Sequence, residues 1–142
     1  MWNQISFQAS LNSLDFVLKW VRSYTHIAGL SLQESRKIEI ALEEAIVNVI
    51  HYAYHDAGGG VELACLVEPS RVEFILKDEG PPFNPIEQVV ERELTLENKK
   101  EGGLGILLMR HYMDKIIYKR EKSYNVLTLI KKIDEPLISK EV

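Results

Sequence analysis

The sequence predicts an α+β fold, a two-layer α/β sandwich in which helices cover one face of a mixed, mostly antiparallel sheet. One observation is the order of the predicted elements, which is strand, two helices, two strands, a long connection, helix and two strands. The other is composition. With 142 residues, 46% hydrophobic and 27% charged, the chain suits a single domain, residues 1–142, with one core.

The first part of the chain predicts one strand and two helices. Residues 2–9 alternate between polar and apolar side chains, which is typical of a strand with one buried face. Residues 11–27 repeat apolar side chains at steps of three and four, which predicts an amphipathic helix. Ser31 followed by Glu34 is a capping-box pattern, and it opens a second helix that is predicted to continue to about Asp56.

The second part predicts a hairpin, a connection, a helix and two more strands. Residues 61–67 and 72–76 are rich in β-branched and apolar side chains, and a Pro-Ser turn joins them. The segment 80–105 is long and rich in proline and charge, and long connections in small domains are usually functional. The remaining elements are a helix at 106–113 and strands at 115–120 and 124–133.

Charge and cysteine content exclude several classes of protein. A net charge of -4 argues against a nucleic-acid binder, so the basic cluster Lys119, Arg120 and Lys122 is predicted to be a solvated strand edge. No apolar stretch reaches the roughly 20 residues that a membrane span needs, and no signal-peptide pattern is present, which predicts a cytoplasmic protein. Cys65, in an apolar run, is predicted to be a buried hydrophobe.

The second predicted helix carries an unusual polar face. At about 100° per residue, its polar side chains fall within roughly 60° of one another, and apolar side chains take the opposite side. These polar residues are Glu44, Asn48, His51 and His55. A carboxylate and a carboxamide four residues apart indicate a site, although a buried Asn often only satisfies a neighbouring backbone group. The two histidines have no third zinc ligand at a recognised spacing, so capping and hydrogen-bonding roles are favoured.

Three separated pieces of sequence share one plausible ligand. Asn48 offers a neutral oxygen suited to Mg²⁺, and Asp78 can accept a hydrogen bond from an amino group while Gly80 lets a flat ring approach the backbone. Glycines at the start of the next helix leave backbone N–H groups free for phosphates. These are Gly102, Gly103 and Gly105. Together the pieces suggest ATP, although each alone also fits a strand-ending turn or a helix start.

The residues of these three segments, and their order along the chain, resemble the N, G1 and G2 boxes of the GHKL ATPase superfamily. The matching motifs are Glu44-x-x-x-Asn48, then Asp78-x-Gly80-x-Pro82-Phe83-Asn84-Pro85, then Glu101-Gly102-Gly103-Leu104-Gly105. Within that superfamily, the chain is most similar to the bacterial anti-sigma factor serine-protein kinases, the RsbW-like branch.

The resemblance implies bound Mg-ATP and a role for each motif. Asn48 would hold the cation, Asp78 would accept a hydrogen bond from the adenine amino group, and Glu44 would be the general base. The further nucleotide contacts would come from Gly80, Gly102, Gly103, Leu104 and Gly105. The segment 84–102 would form the ATP lid.

The function implied by the resemblance is partner switching. Such proteins phosphorylate a serine on an anti-sigma-factor antagonist, a STAS-domain protein, and in another state sequester a sigma factor; they are commonly homodimers. One alternative is a non-catalytic module that binds ATP or ADP and regulates partners by sequestration only. A detached histidine-kinase ATPase domain is less favoured, because the sequence predicts no helical hairpin that bears a phosphoacceptor histidine.

Overall fold

Five strands form the sheet in the computed structural model, which describes residues 1–90 and 103–134. They are β1 (Trp2–Gln8), β2 (Gly60–Glu68), β3 (Arg71–Asp78), β4 (Lys115–Glu121) and β5 (Tyr124–Lys132). Their order across the sheet is β1-β2-β3-β5-β4, and every pairing is antiparallel. The predicted fold class and all five predicted strands are confirmed.

Four α-helices accompany this sheet within the described residues. They are α1 (Leu14–Ile27), which a short 3₁₀ turn precedes, α2 (Leu32–Asn48), α3 (Pro85–Val90) and α4 (Gly103–Tyr112). The predicted capping box is confirmed at the start of α2, where Ser31 Oγ accepts a hydrogen bond from the backbone N–H of Glu34 at 3.1 Å. No helix in the described ranges is long and apolar enough to cross a membrane.

The second helix differs from its prediction after Asn48. A π-helical turn, Val49–Ala53, follows α2, and His55 and Asp56 have φ angles of 50° and 64°. A π turn winds more slowly than an α-helix, so the spacing of 100° per residue no longer holds beyond Asn48. The prediction that His55 shares the face of Glu44 and Asn48 is therefore wrong, because His55 lies beyond the helical turns.

The core lies between the helices and one face of the sheet. Leu63, Leu76 and Leu127 form one buried row across β2, β3 and β5. The adjacent row consists of Cys65, Phe74 and Leu129. Cys65 is fully buried, and burial raises the pKa of its thiol to about 12, which confirms that it packs as a hydrophobe and is not a reactive thiolate.

The predicted lid falls largely outside the described residues. Its first residues, 84–90, consist of Asn84 and the short helix α3. Residues 91–102 of the predicted lid, including Glu101 and Gly102, lie outside the described ranges.

Candidate nucleotide-binding site

One row of residues runs across the end of the sheet and places the predicted adenine contact. Val61, Asp78, Asn125 and Arg120 lie opposite one another on β2, β3, β5 and β4. The row follows the two buried apolar rows, so Asp78 points toward the helices and is only 4% exposed. The antiparallel register thus brings a carboxylate and a carboxamide together below the helix layer.

The Asp78 carboxylate is held by two donors. Its Oδ1 accepts hydrogen bonds from the backbone N–H of Gly80 and from Asn125 Nδ2, both at 2.9 Å. Burial raises the pKa of Asp78, although these two bonds and the nearby Arg120 oppose the shift. Both bonds fix the orientation of the carboxylate, and the hydrogen bonds of the described residues leave Oδ2 free to accept another donor.

Asn125 is a site residue that the sequence did not reveal. Its Oδ1 accepts bonds from Tyr118 Oη at 2.6 Å and from the backbone N–H of Phe83 at 3.0 Å. Its Nδ2 also donates to the carbonyl oxygen of Pro81 at 2.9 Å. Asn125 therefore ties Asp78, β4 and the loop after β3 together. The only signal in the sequence is one Asn at the start of an apolar strand pattern, which is not specific.

Two more side chains hold the loop after β3. Tyr54 Oη accepts the backbone N–H of Glu79 at 2.8 Å and donates to the carbonyl oxygen of Gly60 at 2.7 Å. Arg120 Nη1 donates to the carbonyl oxygen of Gly80 at 2.7 Å. β4 is an edge strand, as predicted for the basic cluster, but Arg120 is a structural donor in addition to a solvated charge.

Gly80 is required by packing in this structure. A Cβ atom built on Gly80 would lie 2.8 Å from the carbonyl oxygen of Ala53 and 2.9 Å from its Cβ. The loop after β3 therefore packs directly on the end of the π-helical turn. Any larger residue would separate this loop from the helix layer and would disturb the Asp78 carboxylate that Gly80 holds.

A small cavity lies above Asp78. Asn48, Asp78, Phe83, Tyr118 and Asn125 are among the residues that line its volume of about 20 Å³. That volume holds about one water molecule. Phe83 stacks on Tyr52 with ring centroids 5.5 Å apart and planes at 16°. The cavity that the described residues form here is therefore smaller than an adenine ring.

The phosphate end of the site is formed by Asn48, Glu44 and the start of α4, and it adjoins the adenine end because Asn48 also lines the cavity above Asp78. Asn48 is buried, and its Nδ2 has no hydrogen-bond partner among the described residues. Leaving a buried donor unpaired costs about 1–3 kcal/mol, so this amide is suited to a ligand. Glu44 is half-buried one turn earlier, and burial, with a smaller contribution from the charge of Glu43, raises its pKa.

The start of α4 lies directly against Glu44. A Cβ atom built on Gly105 would overlap Glu44 Oε2 and would lie 3.1 Å from the carboxyl carbon. Gly103 and Leu104 belong to the same first turn of α4. The structure thus brings together Glu44, Asn48 and the first turn of α4.

The two histidines stand apart from this site. Nδ1 of His51 and Oδ1 of Asp56 are 2.6 Å apart, and both side chains are partly exposed. Within residues 1–90 and 103–134, no three His, Cys, Asp or Glu side chains lie close enough together to hold a metal ion. His51 therefore makes a local hydrogen bond with Asp56.

The donor set fits a magnesium-bound nucleotide. A carboxylate oriented for an amino group and a carboxamide with an unpaired donor line one cavity, and Glu44, one turn before that carboxamide, lies against the start of α4. The oxygen of Asn48 suits a hard cation, and its N–H group suits a phosphate oxygen. Because the two ends adjoin at Asn48, one elongated ligand can contact both of them.

Residues 7–131 match the family described as "Histidine kinase-like ATPase domain", and the chain belongs to this family. The match covers β2, β3, β4, nearly all of β5 and the four helices, so it includes every described site residue. It confirms the resemblance to the GHKL superfamily and the ATP-binding class that the motifs predict.

The relatives confirm the predicted branch of the family. The chain is 27% identical over 130 residues to "Anti-sigma F factor" of Clostridium acetobutylicum, which covers 91% of each chain. It is 34% identical over 112 residues to "Serine-protein kinase RsbW" of Halalkalibacterium halodurans, covering 72% of this chain and 65% of the relative. The chain is thus similar both to an anti-sigma factor and to a serine-protein kinase.

Solved structures show the same fold. A chain with RsbU and RsbW domains from Mycobacterium tuberculosis matches with a TM-score of 0.66 and 16% identity, covering 96% of this chain and 33% of that one. A chain of the SiaB-SiaC complex from Pseudomonas aeruginosa matches with a TM-score of 0.58 and 15% identity, covering 91% and 89%.

Proposed function

We propose that this chain is an ATP-dependent serine-protein kinase and anti-sigma factor that acts by partner switching. It phosphorylates a serine of an anti-sigma-factor antagonist, a STAS-domain protein, and in another state it sequesters a sigma factor. The observation that carries the proposal is Glu44, a half-buried carboxylate with a raised pKa one turn before the buried Asn48. The names of the relatives support the anti-sigma-factor and serine-protein-kinase activities, and the antagonist substrate is what the family resemblance implies.

The nucleotide contacts follow from the two ends of the site. Asp78 accepts the amino group of adenine through Oδ2, because its Oδ1 already holds two donors. Asn48 would hold Mg²⁺, which when bound would neutralise charge on the phosphates. The first turn of α4, with Gly103, Leu104 and Gly105, binds phosphate oxygens through its unpaired N–H groups. Gly102, the residue before this turn in the sequence, is proposed to make a further contact with the nucleotide.

Glu44 acts as the general base in the transfer. The serine oxygen attacks the γ-phosphorus of ATP, the bond to the β-phosphate bridging oxygen breaks, and the hydroxyl proton passes to the Glu44 carboxylate. The products are ADP and phosphoserine. A raised pKa brings the carboxylate closer to neutral pH, where a base accepts a proton most effectively. Most of the rate enhancement comes from positioning and charge stabilisation.

Two further parts of the proposal concern assembly and location. The protein works as a homodimer in the cytoplasm, where its protein partners are, and it binds no nucleic acid, in keeping with the net charge of -4. The lid, residues 84–102, is proposed to link nucleotide state to partner choice. Light scattering of the purified protein, with and without ATP, measures the assembly directly.

The direct test is phosphate transfer to a STAS-domain antagonist encoded by the same genome. Wild-type protein with γ-labelled ATP is expected to label one antagonist serine. Glu44→Gln is expected to lower the single-turnover rate roughly 100-fold or more while ATP affinity changes little. Glu43→Gln is the matched control, because it removes the neighbouring carboxylate on the same helix, and its rate should remain within about threefold of wild type.

The same variants separate catalysis from sequestration alone. If Glu44→Gln retains ATP binding, partner binding and full regulation, the non-catalytic module is the correct function. An antagonist that stays unlabelled by an ATP-bound wild-type protein would also contradict the kinase.

A further inference from the structure

Gly105 and Glu44 make a contact that the phosphate-binding role of the glycine does not require. The position of a Cβ atom on Gly105 is already filled by Glu44 Oε2, and the carboxyl carbon and Cβ of Glu44 lie 3.1 and 3.5 Å from it. The missing side chain of Gly105 therefore makes room for a carboxylate on another helix.

The two helices are not free to separate. α4 is anchored beyond Gly105 by Ile106 and Met109, which are 3% and 1% exposed. On α2, Ala45 and Ile46 next to Glu44 are 2% and 0% exposed. Because moving either helix would open this packed core, an added methyl group is accommodated most cheaply by rotation of the flexible Glu44 side chain.

We propose that Gly105 is a positioning residue for the Glu44 carboxylate, holding the general base in place through the absence of a side chain. The inference rests on the proposed kinase function and deepens it. It assigns Gly105 a role toward the base in addition to any contact with phosphate, and it makes the seating of α4 on α2 a condition for an active base.

Gly105→Ala tests this role through the split between kcat and KM. The variant is expected to lower kcat for antagonist phosphorylation roughly 10- to 100-fold, as a displacement of about 1 Å does at other active sites, with KM for ATP within about threefold of wild type. Gly60→Ala is the matched control, because a Cβ at Gly60 meets no atom within 4 Å, and it should leave both parameters unchanged.

A second variant pair distinguishes positioning from a structural defect. Glu44→Asp shortens the side chain by one methylene group and leaves space for the methyl group at position 105. Adding Gly105→Ala to Glu44→Asp should therefore cost less than about threefold in kcat, against roughly 10- to 100-fold in the wild-type background. An equal loss in both backgrounds would overturn the proposal. So would a raised KM for ATP with unchanged kcat.

A crystal structure of nucleotide-free Gly105→Ala gives a readout that does not depend on kinase activity. The expected result is an unchanged position of α4 and a rotated Glu44 carboxylate. A Glu44 side chain in its original position would overturn the inference even if the kinase were active. A displaced carboxylate in a protein whose wild type transfers no phosphate would instead confirm the contact and refute the proposed function.

Discussion

The two ends of the site differ in how far the protein satisfies its own polar groups. At the adenine end, Asp78 and Asn125 are held by a network of protein hydrogen bonds, and the cavity has a volume of only about 20 Å³. At the phosphate end, the buried Asn48 has an unpaired amide, and Glu44 has a raised pKa. The adenine end is thus built for orientation, and the phosphate end carries groups whose partners a ligand must supply.

Asn48→Leu is expected to have the largest effect on the difference between the two ends. The substitution keeps a similar volume and removes the unpaired amide, so we expect the nucleotide-free protein to gain about 1 kcal/mol of unfolding free energy. Affinity for Mg-ATP should fall roughly 100-fold, equivalent to about 2.7 kcal/mol. Urea unfolding and calorimetric titration measure the two effects. A less stable variant that still bound Mg-ATP would show that Asn48 has a purely structural role.

Asn125→Ala tests the opposite property of the adenine end. It removes donors and acceptors that Asp78, Tyr118 and Phe83 use. We expect a loss of about 2–3 kcal/mol in unfolding free energy and a fall of roughly tenfold in ATP affinity. Urea unfolding with and without ATP is the measurement. Unchanged stability would mean that water replaces the network at little cost, and the end would not be preorganised.

Tyr118→Phe tests the same hydrogen-bond network with a smaller change. It deletes one hydroxyl, which donates to Asn125 Oδ1 at 2.6 Å, and keeps the aromatic ring. The expected loss of unfolding free energy is about 1 kcal/mol. If Tyr118→Phe loses as much unfolding free energy as Asn125→Ala, the stabilisation comes from the tyrosine hydroxyl and not from the other bonds of the Asn125 carboxamide. Thermal and urea denaturation of the two variants side by side decides between them.

The pH dependence of transfer probes the phosphate end alone. Only the ionised form of Glu44 accepts a proton, and its pKa is raised above 4.5. We therefore expect kcat to fall as the pH is lowered through this raised pKa, with a midpoint above that of an exposed glutamate. Glu43→Gln removes a neighbouring negative charge and should move the midpoint to lower pH. If the midpoint of the profile does not move in Glu43→Gln, the titrating group is not Glu44.

The sequence predicted the fold and the site motifs for identifiable physical reasons. Alternation along β2 and β3, and the Ser31 cap of α2, are local signals that packing did not override. Asn48, Asp78 and the glycines were found because their order along the chain resembles a known set of boxes. Their assigned roles remain proposals.

Local sequence patterns could not predict the π turn after Asn48 or the contacts of Asn125 and Gly105. The end of the π turn packs on the loop at Gly80, which is distant in sequence, and the turn makes the spacing along a regular helix an unsafe guide to the positions of His51 and His55. Asn125 reaches Asp78 through strand register, and Gly105 reaches Glu44 through the packing of two helices distant in sequence. Both are long-range pairings that no single window of sequence contains.

The central claim is that the two ends form one Mg-ATP site, and calorimetric titration of wild type and Asp78→Asn with ATP and Mg²⁺ tests it most directly. Asp78→Asn keeps the shape of the side chain, but it replaces one of the two acceptor oxygens with an amide donor. We expect wild type to bind one ATP per chain in a magnesium-dependent manner, and the folded variant to bind at least tenfold more weakly. A folded, nucleotide-free wild type that binds no ATP, or an Asp78→Asn variant that binds equally well, would contradict the account.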